Sequence, residues 1–349
     1  MKIAIINNLY HPYNRGGAEN VVREMITELR QQGHEVFLIT TKPPKLNYPA
    51  EFTLPVYQLP SRYYQLAEYS YGRRLWWQIA NVFSYRQTRR LKKILLTEQP
   101  QLVMTHNLMG LGFRTPRLIK KLGIRHEHYL HDIQLLHPSG LMLYGQEGII
   151  NSPLAKLYQF FTRHFFGSPQ QVVSPSAWLL ALYQDHHFFP HSPSSVRQLS
   201  SPPTDNLPVT KKRNKHFLFV GQVEYHKGIH TLLAAFTRAR LIQPWIKLSI
   251  VGDGTLLTEL KKQYQAEKSI SFKGRLQPEA VARLMASSYC LIVPSLCYEN
   301  LPMTILEAKR VGLKVIASNL GGIPEAVSPT DVLVKPGNEE ALMKELLRA

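Results

Sequence analysis

The chain is poor in cysteine and has no long apolar run. Its 349 residues include two cysteines, Cys290 and Cys297, without metal-type spacing, so neither a disulfide framework nor a metal site is expected. No stretch reaches the ~18 apolar residues of a spanning helix, and the N-terminus opens directly on a strand pattern. We therefore expect a reduced cytoplasmic protein that is long enough for two domains.

Acidic residues are scarce against lysine and arginine, and the formal net charge of +18 implies an anionic partner. Between Arg62 and Arg125, thirteen lysines and arginines meet two acids, Glu68 and Glu98. Interleaved aromatic residues favour contact with an anionic membrane surface. A nucleic-acid face is a second option without a recognised motif, and a solvated basic surface is a third. The aromatic residues are Tyr63, Tyr64, Tyr69, Tyr71, Trp76, Trp77, Phe83 and Tyr85.

The G-x-G-x-x-G fingerprint and an Asp-x-Asp pair are both absent, yet strand and helix patterns alternate twice along the chain. This alternation predicts an α/β protein of two doubly wound, Rossmann-like parallel sheets that face each other across a cleft. We interpret the Pro- and Ser-rich stretch from Phe189 to Lys215 as the linker and place the domains at 1–200 and 201–349. Residues 42–71 suggest a long irregular excursion, and 72–96 a single basic helix.

The stretch from Tyr289 to Glu325 predicts a strand, a loop, a helix and another strand. Pro302 suits the first helical position, and the free N–H groups from about Asn300 to Met303 would suit a phosphate. Glu299 and Glu307 would point toward the same side of a helix that included both. From the residues alone, two solvated surface glutamates are an equally good interpretation.

Glycines and polar side chains follow several predicted strands, where open parallel sheets bind their ligands. Paired glycines allow close approach of a ligand to the backbone, and a lysine supplies a point charge for a diphosphate. These strand-end residues are Gly16, Gly17, His106, His131, Asp132, Gly221, Lys227, Gly252, Gly254, Gly274 and Arg275.

The run PSLCYENLPMTILEAKRVGLKVIASNLGGIPE resembles the signature of the retaining family 4 glycosyltransferases, which have the GT-B fold. The resemblance implies that Glu299 contacts donor-sugar hydroxyls near the reacting carbon and that Glu307 holds the ribose hydroxyls. His131, within YLHDIQLLHP, would contact the donor sugar where the new bond forms. His106 and Asp132 become candidates on the acceptor side of the site.

The resemblance also implies a donor site built from several loops, with Lys227 at the diphosphate and the Gly274 region at the nucleobase. Relatives usually have arginine where this chain has Gln222, so one cation is lost. They also have Asn-Gly where Ser200-Ser201 stand and a further C-terminal crossover helix, which we expect the second domain to lack. The implied donor-binding residues are Gly16, Gly17, Gly221, Gln222, Lys227, Gly252, Gly254, Gly274, Arg275, Asn300, Leu301 and Glu307.

The implied activity is retaining transfer of a hexose from a nucleotide diphosphate sugar to a glycan, lipid-linked or small-molecule acceptor bound by the first domain. A UDP-sugar is favoured over a GDP-sugar, with no metal or other cofactor and no specific nucleic-acid partner. The protein would be cytoplasmic, with peripheral contact at the inner face of the membrane. Two alternatives stay open: a nucleotide-sugar epimerase or phosphorylase of the same fold, and a non-catalytic polyanion- or membrane-binding protein with a decayed site.

Overall fold

The computed structural model describes residues 1–13, 16–44, 53–197 and 215–349. The chain divides into two compact units. Unit 1 comprises the described residues of Met1–Leu141 and Gly148–Ser200, and unit 2 those of Met142–Glu147 and Ser201–Ala349. No helix in these ranges is long and apolar enough to cross a membrane.

Unit 1 is built on a parallel sheet in which the strands Lys2–Ile6 and Leu102–Thr105 are buried on both faces, so their sequences are almost continuously apolar. The described strands are β1 (Lys2–Ile6), β2 (Glu35–Lys42), β3 (Val56–Pro60), β4 (Leu102–Thr105), β5 (Arg125–Tyr129), β6 (Gln171–Ser174) and β7 (Ser194–Val196), in the order β3-β2-β1-β4-β5-β6-β7. The α-helices are α1 (Gly17–Gln31), α2 (Tyr71–Val82), α3 (Tyr85–Glu98), α4 (Thr115–Lys121), α5 (Pro153–Phe166) and α6 (Ala177–Asp185). Short 3-10 helices span Arg62–Glu68 and Glu147–Asn151.

Unit 2 repeats this architecture around a second parallel sheet with an apolar core on each face. Its described strands are β8 (His216–Val220), β9 (Lys247–Val251), β10 (Ile270–Gly274), β11 (Cys290–Val293), β12 (Lys314–Ser318) and β13 (Val332–Val334), in the order β10-β9-β8-β11-β12-β13. The helices are α7 (Ile229–Ile242), α8 (Leu257–Gln263), α9 (Pro278–Ser287), α10 (Met303–Arg310), α11 (Ile323–Ala326) and α12 (Glu339–Arg348), with a 3-10 turn at Tyr225–Lys227. The predicted pair of doubly wound sheets is confirmed.

Three predicted segments were wrong in detail. The expected helix 72–96 is two helices, α2 and α3, because Phe83 turns inward and packs on Phe161 and Phe165 with ring centroids 5.5 and 5.1 Å apart. The expected excursion at 42–71 contains β3, which pairs with β2 at the sheet edge. The expected linker contains β7, which pairs with β6, while residues 198–214, including Ser200-Ser201, lie outside the described part of the chain.

Strand order fixes where each unit can hold a ligand. In unit 2 the chain runs outward from β8 through β9 to β10, then returns to the other side of β8 with β11. In unit 1 the same reversal occurs between β1 and β4. Open α/β sheets bind ligands beyond the carboxyl ends of the strands at such a reversal. The loops after β8 and β11 are therefore the first place to look for a site in unit 2.

Candidate functional site

The loops after β8 and β11 meet at an ion pair. Lys227 Nζ lies 2.5 Å from Glu299 Oε1, and Ser295 Oγ donates to the same oxygen at 2.7 Å. The two charged side chains are 24% and 17% exposed. Burial acts to raise the pKa of Glu299, but the charge of Lys227 and the hydrogen bonds outweigh it and the pKa lies below its ordinary value. Glu299 is therefore a carboxylate at neutral pH.

The ion pair leaves hydrogen-bonding capacity on both partners. Burial acts to lower the pKa of Lys227, yet Glu299 raises it by more, so the ammonium stays charged. An ammonium has three N–H donors, and one of them serves Glu299. The second carboxylate oxygen, Oε2, accepts no hydrogen bond from the described residues. The assembly can therefore offer donors to an anion and an acceptor to a hydroxyl group.

Glycine allows the loops of this site to pack backbone against backbone. A Cβ atom on Gly228, at φ +72°, would lie 1.8 Å from the Pro294 carbonyl oxygen. A Cβ atom on Gly252, at φ +139°, would lie 1.8 Å from the Gly221 carbonyl oxygen. No side chain fits at either position, and L-residues also avoid both conformations. These two glycines hold the loops after β8, β9 and β11 in contact.

The predicted strand-end glycines use their N–H groups within the fold. Gly221 donates to Val251 at 3.0 Å, and Gly252 donates to Gly274 at 2.9 Å. Gly254 N donates to the Asp253 side chain at 2.8 Å. These groups shape the loops and are not free donors for a phosphate. Gln222 and Arg275, also predicted to contact the donor, both lie at exposed positions.

Helix α10 begins later than predicted. Pro302 is its N-cap and Met303 its first residue, so Glu299, Asn300 and Leu301 precede the helix. The argument that the two glutamates share one helical face was therefore wrong, and the helix N–H groups begin at Met303. Pro302 acts as a cap because its carbonyl accepts the first hydrogen bond, from Ile305 N at 3.1 Å.

Glu307 lies in the second turn of α10 and is half-buried. Burial raises the pKa of its carboxyl group, and only Arg310 acts in the opposite direction. No described residue donates a hydrogen bond to this carboxylate. A half-buried acid without a protein donor is suited to accept hydrogen bonds from a ligand hydroxyl.

A segment from the first half of the chain completes the Glu299 loop within unit 2. We call residues 142–147 the strap. Tyr144 N donates to Leu296 O at 2.8 Å, Tyr298 N donates to Met142 O at 2.9 Å, and Tyr298 Oη donates to the Glu147 carboxylate at 2.8 Å. On its other side the loop donates from Leu296 N to the His226 carbonyl at 2.9 Å. The backbone next to Glu299 is thus held from both sides.

In unit 1 two histidines meet after β4 and β5. His106 Nδ1 and His131 Nε2 lie 2.7 Å apart, and the His106 ring stacks on Tyr129 at a centroid distance of 5.0 Å. Burial lowers the pKa of His131 to about 4 and that of His106 well below its ordinary value. Both rings are therefore neutral at pH 7. His106 Nε2 is buried and has no hydrogen-bond partner in the described part of the chain.

Asp132 lies beside this pair and titrates near neutrality. Burial raises the pKa of its carboxyl group to about 7, against hydrogen bonds from Gln134 and Asn107. Gln134 N donates to Oδ1 at 2.8 Å. His106, His131 and Asp132 all line one cavity of about 20 Å³, a volume that suits a single water molecule. The structure thus brings together three of the residues that the sequence indicated for unit 1.

Two family models match consecutive parts of the chain. The Glycosyltransferase Family 4 model matches residues 15–197, more than half of the chain, and the Glycosyl transferases group 1 model matches residues 205–349. The chain belongs to the family 4 glycosyltransferases. A mannosyltransferase C of the O-antigen chain from Escherichia coli is 23% identical, with 99% of this chain and 88% of that protein covered.

Two further similarities support this glycosyltransferase assignment. Alpha-monoglucosyldiacylglycerol synthase of Streptococcus pneumoniae is 24% identical, with 91% of this chain and 71% of that protein covered. HepE from Anabaena, solved in complex with UDP and glucose, superposes with a TM-score of 0.70 at 17% identity, covering 100% of this chain and 89% of that one. Together with the two sheets described above, these similarities show a GT-B glycosyltransferase.

Sequence reasoning missed several residues of this glycosyltransferase. Ser295 and the strap were not anticipated, because a serine in a loop and an irregular segment give no periodic signal. Glu19 was also missed: its Oε2 accepts a hydrogen bond from Gly16 N at 2.9 Å, so an acid already occupies the start of α1, where Gly17 is the first residue.

Two buried histidines of β5 were missed as well. His126 Nε2 and His128 Nδ1 lie 2.7 and 2.9 Å from the Thr105 hydroxyl of β4. Burial lowers the pKa of His126 to about 3 and that of His128 well below its ordinary value. The available signal was the alternation RHEHY, which puts both rings on one face of a strand between two buried neighbours.

Proposed function

We propose that this glycosyltransferase transfers a hexose with retention from a nucleotide diphosphate sugar. The observation that carries the proposal is the assembly of Lys227, Ser295 and Glu299 at the strand reversal of unit 2. It combines a cation, a fixed carboxylate and free hydrogen-bonding capacity on both. A diphosphate bonded to a sugar needs such a pair: donors for the phosphate oxygens and an acceptor for a sugar hydroxyl.

In the proposed reaction the bond between the anomeric carbon and the diphosphate oxygen breaks, and its electron pair leaves with the diphosphate. The acceptor hydroxyl oxygen bonds to the same carbon, and its proton passes to the departing phosphate oxygen. Lys227 and the N-terminus of α10 would stabilise the charge that develops on the diphosphate. Glu299, which Lys227 keeps ionised, would hold a sugar hydroxyl through Oε2.

The other predicted residues receive roles that match their surroundings. Glu307, half-buried without a protein donor, would accept the ribose hydroxyls. Neutral His131, fixed by His106, would contact the donor sugar where the new bond forms, and Asp132 would help to orient that loop. Gly221, Gly252 and Gly254 would let the nucleotide approach the backbone, with Gly274 beside the base.

We favour a UDP-sugar donor because the HepE structure was solved with UDP and glucose. A GDP-sugar is the second option. A glycan or lipid-linked acceptor is supported by the relatives named for O-antigen and diacylglycerol products. We propose no metal or other cofactor. The formal charge of +18 supports a cytoplasmic protein with a peripheral contact at the anionic inner face of the membrane.

The test is a donor screen by thermal shift with UDP, GDP and ADP, followed by product detection with the sugar of the best nucleotide. A ligand at a hundredfold excess over its Kd stabilises the fold by about 2.7 kcal/mol, which moves Tm by several degrees. Lys227→Met should lose the nucleotide shift, while Lys344→Met, at an exposed lysine of α12, should keep it. Each shift is measured against the ligand-free Tm of the same variant.

Two outcomes would contradict the proposal. One is a nucleotide shift in Lys227→Met equal to that of the parent protein. The other is conversion of the labelled donor to another nucleotide sugar without acceptor, which would indicate an epimerase. If a glycoside forms, NMR of its anomeric proton must show the configuration of the donor, since inversion would overturn the retaining mechanism.

A further inference from the structure

Four helices of unit 1 form a strongly cationic layer. Helix α2 packs on α5, α5 packs on α4, and α4 packs on α3, so the four helices are neighbours. We call them the basic helical layer. The layer contains one acid, Glu98, which is neutralised by Lys2 at 2.7 Å. Its twelve basic residues are Arg73, Arg74, Arg86, Arg89, Arg90, Lys92, Lys93, Arg117, Lys120, Lys121, Lys156 and Arg163.

An apolar stripe lies on the outer face of this layer. Leu154, Leu157 and Phe160 of α5 are 68%, 55% and 58% exposed. A spacing of three residues places them along one side of the helix. Trp76 and Ile79, on the neighbouring α2, are also exposed. Large apolar side chains exposed together among cations indicate a contact surface rather than an ordinary solvated face.

The position of this stripe differs from the aromatic cluster expected from the sequence. Tyr63 packs on Trp77 at a centroid distance of 6.1 Å, and Phe83 packs on α5. Of that cluster, Trp76 and Tyr85 are exposed, and Arg114 covers Tyr85 at 4.1 Å from the ring. The apolar part of the surface is therefore supplied mainly by α5, a helix that the charge pattern did not indicate.

We propose that the basic helical layer binds the surface of an anionic phospholipid bilayer. Leu154, Leu157 and Phe160 enter the interface between headgroups and acyl chains, and the exposed cations of the layer contact lipid phosphates. This combination of an apolar stripe and flanking cations is what a peripheral membrane helix requires. The inference deepens the peripheral contact of the proposed function by assigning its surface, and it does not depend on the transfer reaction.

Two other occupants fit this surface less well. A nucleic acid would satisfy the cations but would bring nothing apolar to cover Leu154, Leu157 and Phe160. A second copy of the chain, related by a two-fold axis, would set the exposed cations of the layer against an identical set of cations. An anionic bilayer supplies both phosphate charge and apolar depth, so the charge complementarity favours it.

The test is co-sedimentation of the full chain with vesicles of phosphatidylcholine alone and with vesicles of phosphatidylcholine and phosphatidylglycerol. The triple variant L154S/L157S/F160S removes the stripe at exposed positions. Its matched control, L241S/I242S/W245S, removes side chains of unit 2 that are 80%, 61% and 65% exposed. We expect binding to the anionic vesicles alone, weakened at least tenfold in the stripe variant, unchanged in the control and reduced by salt.

Several results would overturn the inference. For the parent protein, these results are a failure to bind anionic vesicles and equal binding to both vesicle types. For the variants, they are an equal loss of vesicle binding in the control variant and unchanged vesicle binding in the stripe variant. A stripe variant that changes only the oligomeric state in size-exclusion chromatography would assign the surface to a second copy. Thermal melting shows that each variant is folded. Nucleotide binding without vesicles is measured separately, so failure of the donor proposal is distinguishable from failure of this one.

Discussion

Acidification should destabilise unit 1 through its buried histidines. Burial holds the pKa of four histidines of unit 1 below its ordinary value: His106, His126, His128 and His131. In the unfolded chain these groups return to a pKa near 6.5 and take up protons below it. A group whose pKa is lowered in the fold contributes stability above the unfolded value and loses it as the pH falls. The loss should therefore begin near pH 6.5 and, for His126, continue toward its folded pKa of about 3.

The magnitude follows from linkage. Between pH 7.5 and 5.5 each histidine that stays neutral in the fold costs about 1.4 kcal/mol, so four cost about 5 kcal/mol. Asp132 acts in the opposite direction, because its folded pKa of about 7 lies above its unfolded value. Protonation of Asp132 in the folded state over the same pH range stabilises the fold by about 2 kcal/mol. The free energy of unfolding should therefore fall by about 3 kcal/mol in the parent protein.

The assay is urea unfolding followed by tryptophan fluorescence in a Trp245→Phe background. The remaining tryptophans, Trp76, Trp77 and Trp178, all lie in unit 1, so the signal reports that unit. His126→Gln keeps a hydrogen-bonding side chain near Thr105 and removes the titrating ring. This variant should lose about 1.4 kcal/mol of the acid-induced destabilisation.

His230→Gln, at an exposed position of unit 2, serves as the control and should change nothing in unit 1. The reasoning is refuted if His126→Gln and its parent lose the same free energy of unfolding between pH 7.5 and 5.5. A gain of stability on acidification in the parent would show that Asp132 outweighs the histidines.

Three further predictions concern unit 2. Glu299→Gln should lower kcat about 100-fold, because the proposed role of Glu299 places its charge next to the reacting sugar. Steady-state kinetics with a parent-like kcat would contradict this role. Glu307→Gln should raise the donor KM about tenfold with little effect on kcat. In the parent protein, acidification should also raise the donor KM, because the Glu307 carboxylate, whose pKa is raised by burial, takes up a proton. A donor KM that responds to neither change would exclude a contact between Glu307 and the donor. Gly252→Ala should lower the free energy of unfolding of unit 2 by about 3 kcal/mol or more, because the added methyl group meets the Gly221 carbonyl. The control variant Gly33→Ala, whose added methyl group has nothing within 4 Å, should cost about 1 to 2 kcal/mol. Both costs are measured in urea titrations, and equal costs would refute the steric argument.

The sequence predicted the architecture because its central strands are buried on both faces. Strands such as β1, β8 and β11 appear as short apolar runs in the sequence. The break between α2 and α3 was not predictable. It depends on the packing of Phe83 against α5, which lies far along the chain.

The candidate site was predicted residue by residue but not as an assembly. The sequence indicated Lys227 and Glu299 separately, and nothing in it reports that strand order makes their loops neighbours across 72 positions. Their pairing is a product of the reversal between β8 and β11. The strap has no periodic pattern either, since its hydrogen bonds join two irregular segments.

The strap has a consequence for dissecting this enzyme. A fragment cut at the apparent boundary near residue 200 would carry the whole second sheet but not residues 142–147. The Leu296 carbonyl and the Tyr298 amide would then lose their partners, only one to three residues from Glu299. Such a fragment could fold and still present a displaced carboxylate, so weak nucleotide binding by the isolated half would not measure the affinity of the intact protein.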